Sequence, residues 1–587
     1  MAINIQSINY WEAELTFLDV MKRAFRWYTY CPSNDPRCTP PAPAHFWDTL
    51  EQSKLDLDAQ GWVRSLPAAD SQDVYYRSVY THMFWDQGAS YPAGQYIVLY
   101  EGEGTIHYGY NGVKKNQSLS KPGRDVLDVV PDDMGIQIMI LATNPANHLR
   151  NIRVIMPGGI CGTDPFTSYD RAADCPSGTT FQSYETLYET LRFYPHFLRD
   201  LRAYRSIRYM TMMNIVQNTT SKWEQRARLN DAIWSTNRGV PPEILMALSN
   251  AVMADPWFNM PFQADDDYVR QFATMAKARL RDNLKIYVEY GNEIWNDDPL
   301  FPQGRWVEEQ AKARWPNVTD ADLKKLESWH DNNLLKRVNW QGMRTAQMCD
   351  IWREVFGEQS NRIVCLVASQ SVREYMFDYM LECPLYAREN QGKSCAKSIN
   401  AMAIGSYFGY HVGTKQFAPV VQTWIDSDPD GGLNTLFKEL FEGGPLYDPK
   451  FEPVWARAPI HGPLAEISQW VDTNLVIAKK YGFQLLATEG GQHLGGPGSD
   501  ENNAPLQNLF NRANRDPRMA TAYQKMLNSW KEHGGGMLAL FLNVNRPTKW
   551  GNWGLKEYQN QPREQAIKFN AVMDFIAVFY INFQIVT

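Results

Sequence analysis

The sequence lacks any uninterrupted apolar run of about 18 residues, the length that a membrane-spanning helix needs. It also lacks a block of basic residues, and its formal net charge is −7 at pH 7. Proteins that bind nucleic acid or anionic membranes usually carry a basic patch, so we expect no nucleic-acid partner and no membrane span. The apolar end of the chain, 575–587, is too short to cross a bilayer, and we expect it to pack as the end of a helix or as a strand.

The signatures of several enzyme classes are absent as well. No CxxC pair suggests a zinc site, and no GxGxxG, P-loop or HExxH motif stands in a credible setting. The GxSxG elbow of serine hydrolases is also missing. The chemistry that we predict therefore needs neither a metal nor an organic cofactor.

The eight cysteines fall into four pairs of close sequence neighbours. An even number of cysteines in loop-like segments predicts disulfides, and disulfides indicate an oxidising compartment. The pair Cys349 and Cys365 is less clear than the others because one member lies on a predicted helix and the other on a predicted strand. The pairs are Cys31 with Cys38, Cys161 with Cys175, Cys349 with Cys365, and Cys383 with Cys395.

The chain begins with MAINIQSINYW, which is not the charged-then-apolar pattern of a signal peptide. Either a signal has been removed or the protein is not secreted. Because of the cysteines, we expect removal of a signal and secretion. Asn116, Asn218 and Asn317 lie in N-x-S/T sequons. These motifs predict a glycoprotein, although such short patterns also arise by chance.

Aromatic residues make up 13% of the chain and include 20 tryptophans. This high aromatic content has two interpretations. Aromatic side chains are common in large cores, and flat aromatic rings also bind the C–H faces of sugar rings. Composition alone leaves both open.

Residues 58–157 differ from the rest of the chain. Short runs of β-branched and aromatic residues, such as those at 96–100 and 136–142, are separated by Gly, Pro, Asn and Asp. This pattern is typical of a small all-β sandwich. We therefore predict an inserted sandwich domain at 58–157, and a second domain formed by 1–57 together with 158–587.

Outside the β-rich segment, strand-like runs alternate with amphipathic helices, such as those at 17–28, 242–255, 264–282 and 467–482. Eight strands with helices between most of them predict a closed (β/α)₈ barrel, the TIM barrel. The sandwich would lie between its first and second strands. The predicted strands are 3–10, 207–214, 256–260, 285–291, 361–369, 399–408, 483–489 and 535–543.

Two acids follow or end predicted barrel strands. Glu293 comes at the end of strand four and Glu489 at the end of strand seven. Catalytic residues of such barrels lie at the C-terminal ends of the strands, and two carboxyl groups at one rim can cleave a glycosidic bond. The alternatives are structural: Glu293 could cap the next segment or pair with a lysine, and Glu489 could belong to a turn at Gly490 and Gly491.

An Asn-Glu pair after strand four and a Glu at strand seven resemble the clan of retaining (β/α)₈ glycoside hydrolases, which includes cellulases, mannanases and β-glycosidases. The segments VEYGNEIWN and TEGGQH are also similar to uncharacterised secreted bacterial relatives of these enzymes. The resemblance implies that Glu293 is the acid/base and Glu489 the nucleophile. It also implies that Asn292 binds the sugar's 2-hydroxyl and that Tyr407 donates to the nucleophile, although Tyr407 could be a core aromatic.

The match to the clan is weaker at two points. The clan often has an arginine near the end of strand two, and Arg208 lies early in the predicted strand. An aromatic residue usually ends strand eight and forms the floor of the sugar site; here the candidates are Trp550 and Trp553, which the sequence does not separate. Further candidate substrate-binding residues, each with a structural alternative, are Trp257, Trp295 and His493.

The sequence thus predicts a retaining glycoside hydrolase acting on a β-linked polysaccharide or oligosaccharide, in an unknown oligomeric state. The alternative is a non-catalytic glycan-binding or extracellular structural protein on the same barrel. Asp426, Asp428 and Asp430 resemble the start of a calcium loop, but Phe437 stands where an EF-hand needs Glu. A solvated turn is the alternative for this segment.

Overall fold

The computed structural model describes residues 1–35, 38, 46–68, 70–110, 112–296, 298–451, 457–495 and 499–586, and for 579–586 the backbone alone. The chain divides into two compact units. The first comprises Met1–Gln6, Arg202–Gln225 and Leu245–Thr587, and the second comprises Ser7–Leu201 and Arg226–Ile244. The second unit therefore extends well beyond the segment 58–157 that the sequence pattern marks.

The described strands, in chain order, are β1 Ala2–Asn4, β2 Tyr28–Tyr30, β3 Asp56–Leu57, β4 Val63–Ser65, β5 Ser78–Met83, β6 Gly94–Glu101, β7 Gly104–Gly109, β8 Val113–Lys115, β9 Arg124–Val129, β10 Ile136–Thr143, β11 Arg150–Ile155, β12 Gly159–Cys161, β13 Phe181–Ser183, β14 Ser206–Arg208, β15 Asp255–Met260, β16 Ile286–Tyr290, β17 Ile363–Ala368, β18 Ala401–Phe408, β19 Gln484–Gln492 and β20 Ala539–Leu540.

The described α-helices are α1 Tyr184–Leu187, α2 Pro195–Leu201, α3 Pro242–Val252, α4 Asp266–Arg279, α5 Pro302–Arg314, α6 Asp320–Leu323, α7 Asn332–Phe356, α8 Tyr375–Glu382, α9 Pro384–Glu389, α10 Ala418–Ser427, α11 Leu433–Glu442, α12 Pro463–Tyr481, α13 Ala504–Arg515, α14 Arg518–Glu532 and α15 Ile567–Val586.

The first unit contains an eight-stranded parallel sheet in the order β19-β18-β17-β16-β15-β14-β1-β20. The two end strands also meet, because Ala487 and Leu538 form a parallel bridge and the Ala487 amide donates to the Met537 carbonyl at 3.0 Å. The sheet therefore closes, and helices stand between most successive strands. This confirms the predicted (β/α)₈ barrel.

The barrel interior is filled by apolar side chains from alternating strand positions. Burial of these groups is the main favourable term in such a core. Small residues on β18 offset the bulk of the aromatic rings on β15 and β16, which is how close packing is reached. The central cluster consists of Trp257, Tyr287, Leu366, Ala368, Ala401, Ala403 and Leu486.

Local sequence signals explain several helix boundaries. Asp265 caps α4 by accepting from the Tyr268 amide, as expected for an acid at a helix N-terminus. Helix α12 has Pro463 in its first turn and is followed directly by Gly482, which is left-handed at φ 71°. Proline at the start and glycine just after the end are the usual boundary residues of a helix. Helix α15 covers most of the apolar C-terminal stretch.

Four predicted elements differ from the structure. The first barrel strand is Ala2–Asn4 rather than 3–10. The second barrel strand ends at Arg208 rather than at 214, and the chain then forms a series of turns. The last strand is only Ala539–Leu540. The predicted helix 17–28 is wrong: the segment holds a single 3₁₀ turn at Val20–Arg23, and Tyr28 begins a strand that pairs with β5. Pairing with a distant strand overrode the helical spacing.

The second unit contains two four-stranded antiparallel sheets, with strand orders β2-β5-β10-β7 and β11-β6-β9-β8. Alternating burial along β10 shows that one of its faces is covered, as in many antiparallel sheets. The β-rich character of this segment thus agrees with the sequence pattern. That the two sheets form a sandwich domain at 58–157 stays a prediction.

All four predicted cysteine pairs are joined by disulfides. The pair Cys349–Cys365 connects α7 to β17, the helix and strand that made this pairing less clear from sequence. Among the sequons, Asn218 is only 2% exposed and its side-chain amide donates to the Met213 carbonyl. Asn317 is exposed. Secretion and glycosylation stay predictions.

None of the helices in the described part of the chain is both long enough and apolar enough to cross a membrane.

Candidate functional site

Two of the predicted site residues, Asn292 and Glu293, lie just after the C-terminal end of the fourth barrel strand. Strand β16 ends at Tyr290, Gly291 follows at φ 64°, and Glu293 is itself left-handed at φ 46°. A side chain at Gly291 would place its Cβ 2.5 Å from the Ile294 Cδ1 atom, so glycine is needed for this sharp exit. A left-handed backbone at a non-glycine residue such as Glu293 costs free energy and is concentrated at functional sites.

Glu489 lies inside the seventh barrel strand, which continues to Gln492. Gly490 and Gly491 are therefore strand residues, and a turn at this position is wrong. Gly405 of β18 lies opposite Glu489, next to a shift in register between the two strands. Such bulges change the direction in which a side chain points.

Glu293 and Glu489 line one cavity of about 480 Å³. Its walls come from the C-terminal ends of β16 to β19 and from the loops that follow them, which is where barrels place their ligands. The cavity has four carboxyl residues, Glu289, Glu293, Asp298 and Glu489, and its aromatic and imidazole residues are Trp295, Phe301, Tyr407, Tyr410, Trp470 and His493.

A buried arginine connects the strands that carry the two acids. The Arg208 side chain is fully buried. Its Nη1 donates to Glu489 Oε1 at 2.9 Å, and its Nη2 donates to Asn292 Oδ1 at 2.7 Å. It also pairs with both carboxylate oxygens of Glu289 at 3.0–3.1 Å. Charge-assisted bonds of this kind stabilise the ionised carboxylates that accept them.

Glu293 is in a different environment. Burial raises its pKa to about 7, and the negative charge of Glu489 adds to this effect. Asn296 donates to Glu293 Oε2 at 2.7 Å. This hydrogen bond lowers the pKa of Glu293 but does not cancel the increase. Desolvation and a like charge both favour the neutral form of an acid. Glu293 can therefore act as a proton donor near neutral pH, while Glu489 is held by a cation.

Tyr407 and His493 complete the surroundings of Glu489. The Tyr407 hydroxyl donates to Glu489 Oε2 at 2.8 Å, and burial together with the charge of Glu489 raises the pKa of Tyr407 well above its usual value. Tyr407 is therefore a permanent hydrogen-bond donor. The His493 ring meets Tyr407 edge-on at 5.1 Å, and burial lowers the pKa of His493, which keeps the imidazole neutral at neutral pH.

Sequence reasoning missed Glu289 and undervalued Arg208. The predicted second strand ran to 214 and so placed Arg208 early, whereas the observed strand ends on it. Glu289 is a buried acid inside β16, and Trp257 Nε1 donates to it at 2.9 Å. The available signal was a lone charged residue in the otherwise uncharged strand IYVEY. A buried charge needs a partner, which pointed to a buried cation on a neighbouring strand.

The predicted aromatic residues lie in different environments. Trp257 is 0% exposed and stacks on Tyr287 at 5.6 Å, so its ring has no open face for a sugar and the core alternative fits. Trp295 lines the cavity. Trp553 packs edge-on against His493 at 5.7 Å, whereas Trp550 is 43% exposed and lies under the Lys549 ammonium. Trp553 is thus the member of this pair that contacts a cavity residue.

The acids of the predicted calcium loop bind the chain around them. Thr435 Oγ1 donates to Asp428, the Asn434 amide donates to Asp430, and Gln422 donates to Asp426. Two of the three therefore bond to the first turn of α11, as a helix-start turn does.

One trio of potential metal ligands occurs in the described ranges, namely Cys31, Asp35 and Cys38. The two thiols of this trio form a disulfide, so they are not ligands for a metal.

Comparison with known proteins gives limited results. No protein-family model matches the chain, and no curated protein matches it. Among solved structures, a β-glucosidase double mutant from Trichoderma harzianum is 11% identical with a TM-score of 0.34, covering 65% of this chain and 86% of its own. A family 5 xyloglucanase from Paenibacillus pabuli is 13% identical with a TM-score of 0.33, covering 72% and 97%.

A third solved structure, a GH5 xyloglucanase from Bacteroides ovatus, is 10% identical with a TM-score of 0.30, covering 85% of this chain and 96% of its own. At this level the similarities carry no inference about the chemistry of this chain. Its own residues must do so.

Proposed function

We propose that the protein is a glycoside hydrolase that cleaves β-linked polysaccharides or oligosaccharides with retention of configuration. In the first step, the Glu489 carboxylate attacks the anomeric carbon while Glu293 protonates the departing glycosidic oxygen. In the second step, Glu293 takes a proton from water, the water oxygen attacks the anomeric carbon, and the bond to Glu489 breaks. Both carboxyl groups return to their starting states.

One observation carries this proposal: a single cavity holds two carboxyl groups in opposite environments. Burial and a neighbouring negative charge raise the pKa of Glu293 to about 7, which suits a group that donates a proton and later accepts one. Arg208 and Tyr407 both donate to Glu489, and such bonds orient a carboxylate for attack. Divergent environments for two acids are the usual basis of their division of roles.

The neighbouring side chains are suited to hold a sugar. The Asn292 oxygen accepts from Arg208, so the Asn292 NH₂ group is the end that can donate to a sugar hydroxyl. The cavity has aromatic surface from Trp295, Tyr407 and Trp470. The Trp553 ring lies next to this surface, in contact with His493. The disulfides favour an extracellular site of action.

The test is a hydrolysis screen of neutral β-glycans and aryl β-glycosides with the parent protein, Glu293→Gln and Glu489→Gln. We expect reducing-sugar release by the parent and a loss of about 10²–10⁴-fold for Glu293→Gln, the range for removal of an acid/base group. Glu466→Gln is the matched control, because burial also raises the pKa of Glu466 to about 7 but the residue does not line the cavity. Its activity should stay near that of the parent.

Two further measurements separate the roles of the acids. A 2-deoxy-2-fluoro glycoside should label the peptide that contains Glu489, as mass spectrometry would show, and NMR should detect the β-anomer as the first product. With Glu293→Ala, added azide should restore turnover, because azide attacks the glycosyl-enzyme without needing a base. Glycan binding without turnover by the parent protein would contradict the proposal and favour the non-catalytic alternative.

A further inference from the structure

The charges that line the cavity are unbalanced. Its walls include four carboxyl residues, Glu289, Glu293, Asp298 and Glu489, but no lysine or arginine among the lining residues that the structure describes. His493 is the one basic side chain among them, and burial lowers its pKa, so it adds no positive charge at neutral pH.

The buried cation next to the cavity is already neutralised. Arg208 pairs with both Glu289 and Glu489, so its positive charge is offset within the protein. Bound ligands gain nothing from a guanidinium whose donors are taken up by protein carboxylates. The barrel floor therefore supplies no free positive charge to the cavity.

Asp298 is a further acid in the cavity wall, and its side chain is exposed. One of its oxygens accepts from the Leu300 amide at 2.9 Å, and among the described residues no ion pair involves it. Burial is the main cause of the raised pKa of Tyr410, and the negative charge of Asp298 adds to it. Because the Tyr410 ring contacts His493 at 5.1 Å, the field of Asp298 reaches the wall next to Tyr407 and Glu489.

We propose that the cavity accepts sugar units without a carboxylate or sulfate group, neutral hexoses above all, and that Asp298 determines this preference. Substrate anions would meet a like charge with no cation to offset it, which is a common way of rejecting a wrong partner. Uronic-acid and sulfated glycans are therefore disfavoured. This inference deepens the proposed function and rests on it.

The experiment uses pairs of aryl glycosides that differ only at C6: β-glucoside with β-glucuronide, and β-galactoside with β-galacturonide. We expect the parent to prefer the neutral member by at least about tenfold in kcat/KM, a difference of about 1.4 kcal/mol. Asp298→Asn should reduce this ratio about threefold or more, and added salt should reduce it in the parent, because exposed charges are screened.

Asp282→Asn is the matched control, since this exposed aspartate precedes β16 at the opposite end of the strand and should leave the ratio unchanged. Equal or faster cleavage of the uronides would overturn the inference, as would an unchanged ratio in Asp298→Asn. In either case the proposed function would stand.

If no glycoside is cleaved, a binding measurement can still test the charge preference separately from the proposed hydrolase function. Affinity electrophoresis of the parent in a neutral β-glucan and in its carboxymethylated form compares the two ligands without turnover. Retardation by the neutral polymer alone would support the charge preference while contradicting the hydrolase. Equal retardation by both polymers, or none by either, would overturn the preference.

Discussion

The two ends of the barrel differ in chemistry, although the same eight strands run from one end to the other. At the N-terminal ends of β1, β14 and β20 lies a cavity of about 360 Å³, lined mainly by apolar side chains such as Leu527, Trp530 and Ile576. Arg205 at this end pairs with Asp255 while remaining 54% exposed. Arg208, three residues further along, is fully buried among acids.

The contrast shows how the barrel separates stability from reactivity. Burial of apolar surface stabilises the N-terminal end, whereas the C-terminal end holds buried charges and a left-handed Glu293, features that cost free energy. A protein retains such features where they serve a function. Substitutions at the two ends should therefore have different consequences.

The largest expected difference is between Trp530→Ala and Glu489→Gln. Trp530 is buried, so its truncation should lower the free energy of unfolding by about 3–5 kcal/mol while kcat of the folded protein stays within about twofold. Glu489→Gln should reduce kcat by roughly 10³-fold or more with little loss of stability. Urea denaturation and initial rates measure both. A folded but inactive Trp530→Ala variant would remove the distinction between the ends.

Arg208→Gln should affect both properties. Removing one partner of a buried ion pair leaves uncompensated charge and costs about 3–5 kcal/mol, and here Glu289 and Glu489 both lose their cation. Adding Glu289→Gln should recover part of the lost stability in a double-mutant cycle. The control Arg205→Gln, at the other end, should cost about 1 kcal/mol because that arginine is half-exposed. Equal losses for the two single variants would contradict this.

The pH dependence of activity should report the proton on Glu293. Because burial raises the pKa of Glu293 to about 7, the protonated form needed in the first step disappears above that pH. We expect kcat/KM to fall about tenfold per pH unit above pH 7. The fall should be absent from the residual activity of Glu293→Gln. A profile that stays flat to pH 9 would assign the proton to another group.

The same carboxyl group should make stability depend on pH. Its folded pKa, about 7, is above the ordinary value of 4.5, so the unfolded chain releases this proton first and stability falls as pH rises from 4.5 to 7. Glu293→Gln should be more stable than the parent by about 3 kcal/mol at pH 8 and equal to it at pH 4. Denaturation at the two pH values tests this, and a constant difference would refute it.

The smallest effect concerns the exit of β16. Gly291→Ala should cost about 1–2 kcal/mol, since the new methyl group meets both a left-handed backbone and Ile294. Gly482→Ala, at a left-handed position with open space around it, should cost about 1 kcal/mol and leave activity unchanged. Thermal melts and rates compare the pair. A loss of activity only in Gly291→Ala would show that this turn positions Glu293.

The sequence predicted the barrel better than its details. The alternation of apolar strands and amphipathic helices is a property of burial, which local patterns record. Strand ends depend on contacts that are distant in sequence. The apolar run YMTMMN after Arg208 looks like strand but forms turns, and for this reason the position of Arg208 was misjudged.

The candidate site shows the same limit. Glu293 and Glu489 could be found because each stands beside a break in an apolar pattern. Glu289 could not be recognised in the same way, because its partner Arg208 is 81 residues away in sequence. Trp257 and Trp295 look alike in sequence, yet one fills the barrel core and the other lines the cavity. Which face of a strand or loop a tryptophan occupies depends on tertiary packing.

The local character of the disulfides affects how the protein can be produced. Eight cysteines allow about a hundred pairings, but each observed partner is within 16 residues of the other. Short loops close readily in an unfolded chain, so correct pairs should re-form early when reduced protein is returned to a mild redox buffer. Oxidative refolding should therefore favour these four pairs over pairings between distant cysteines.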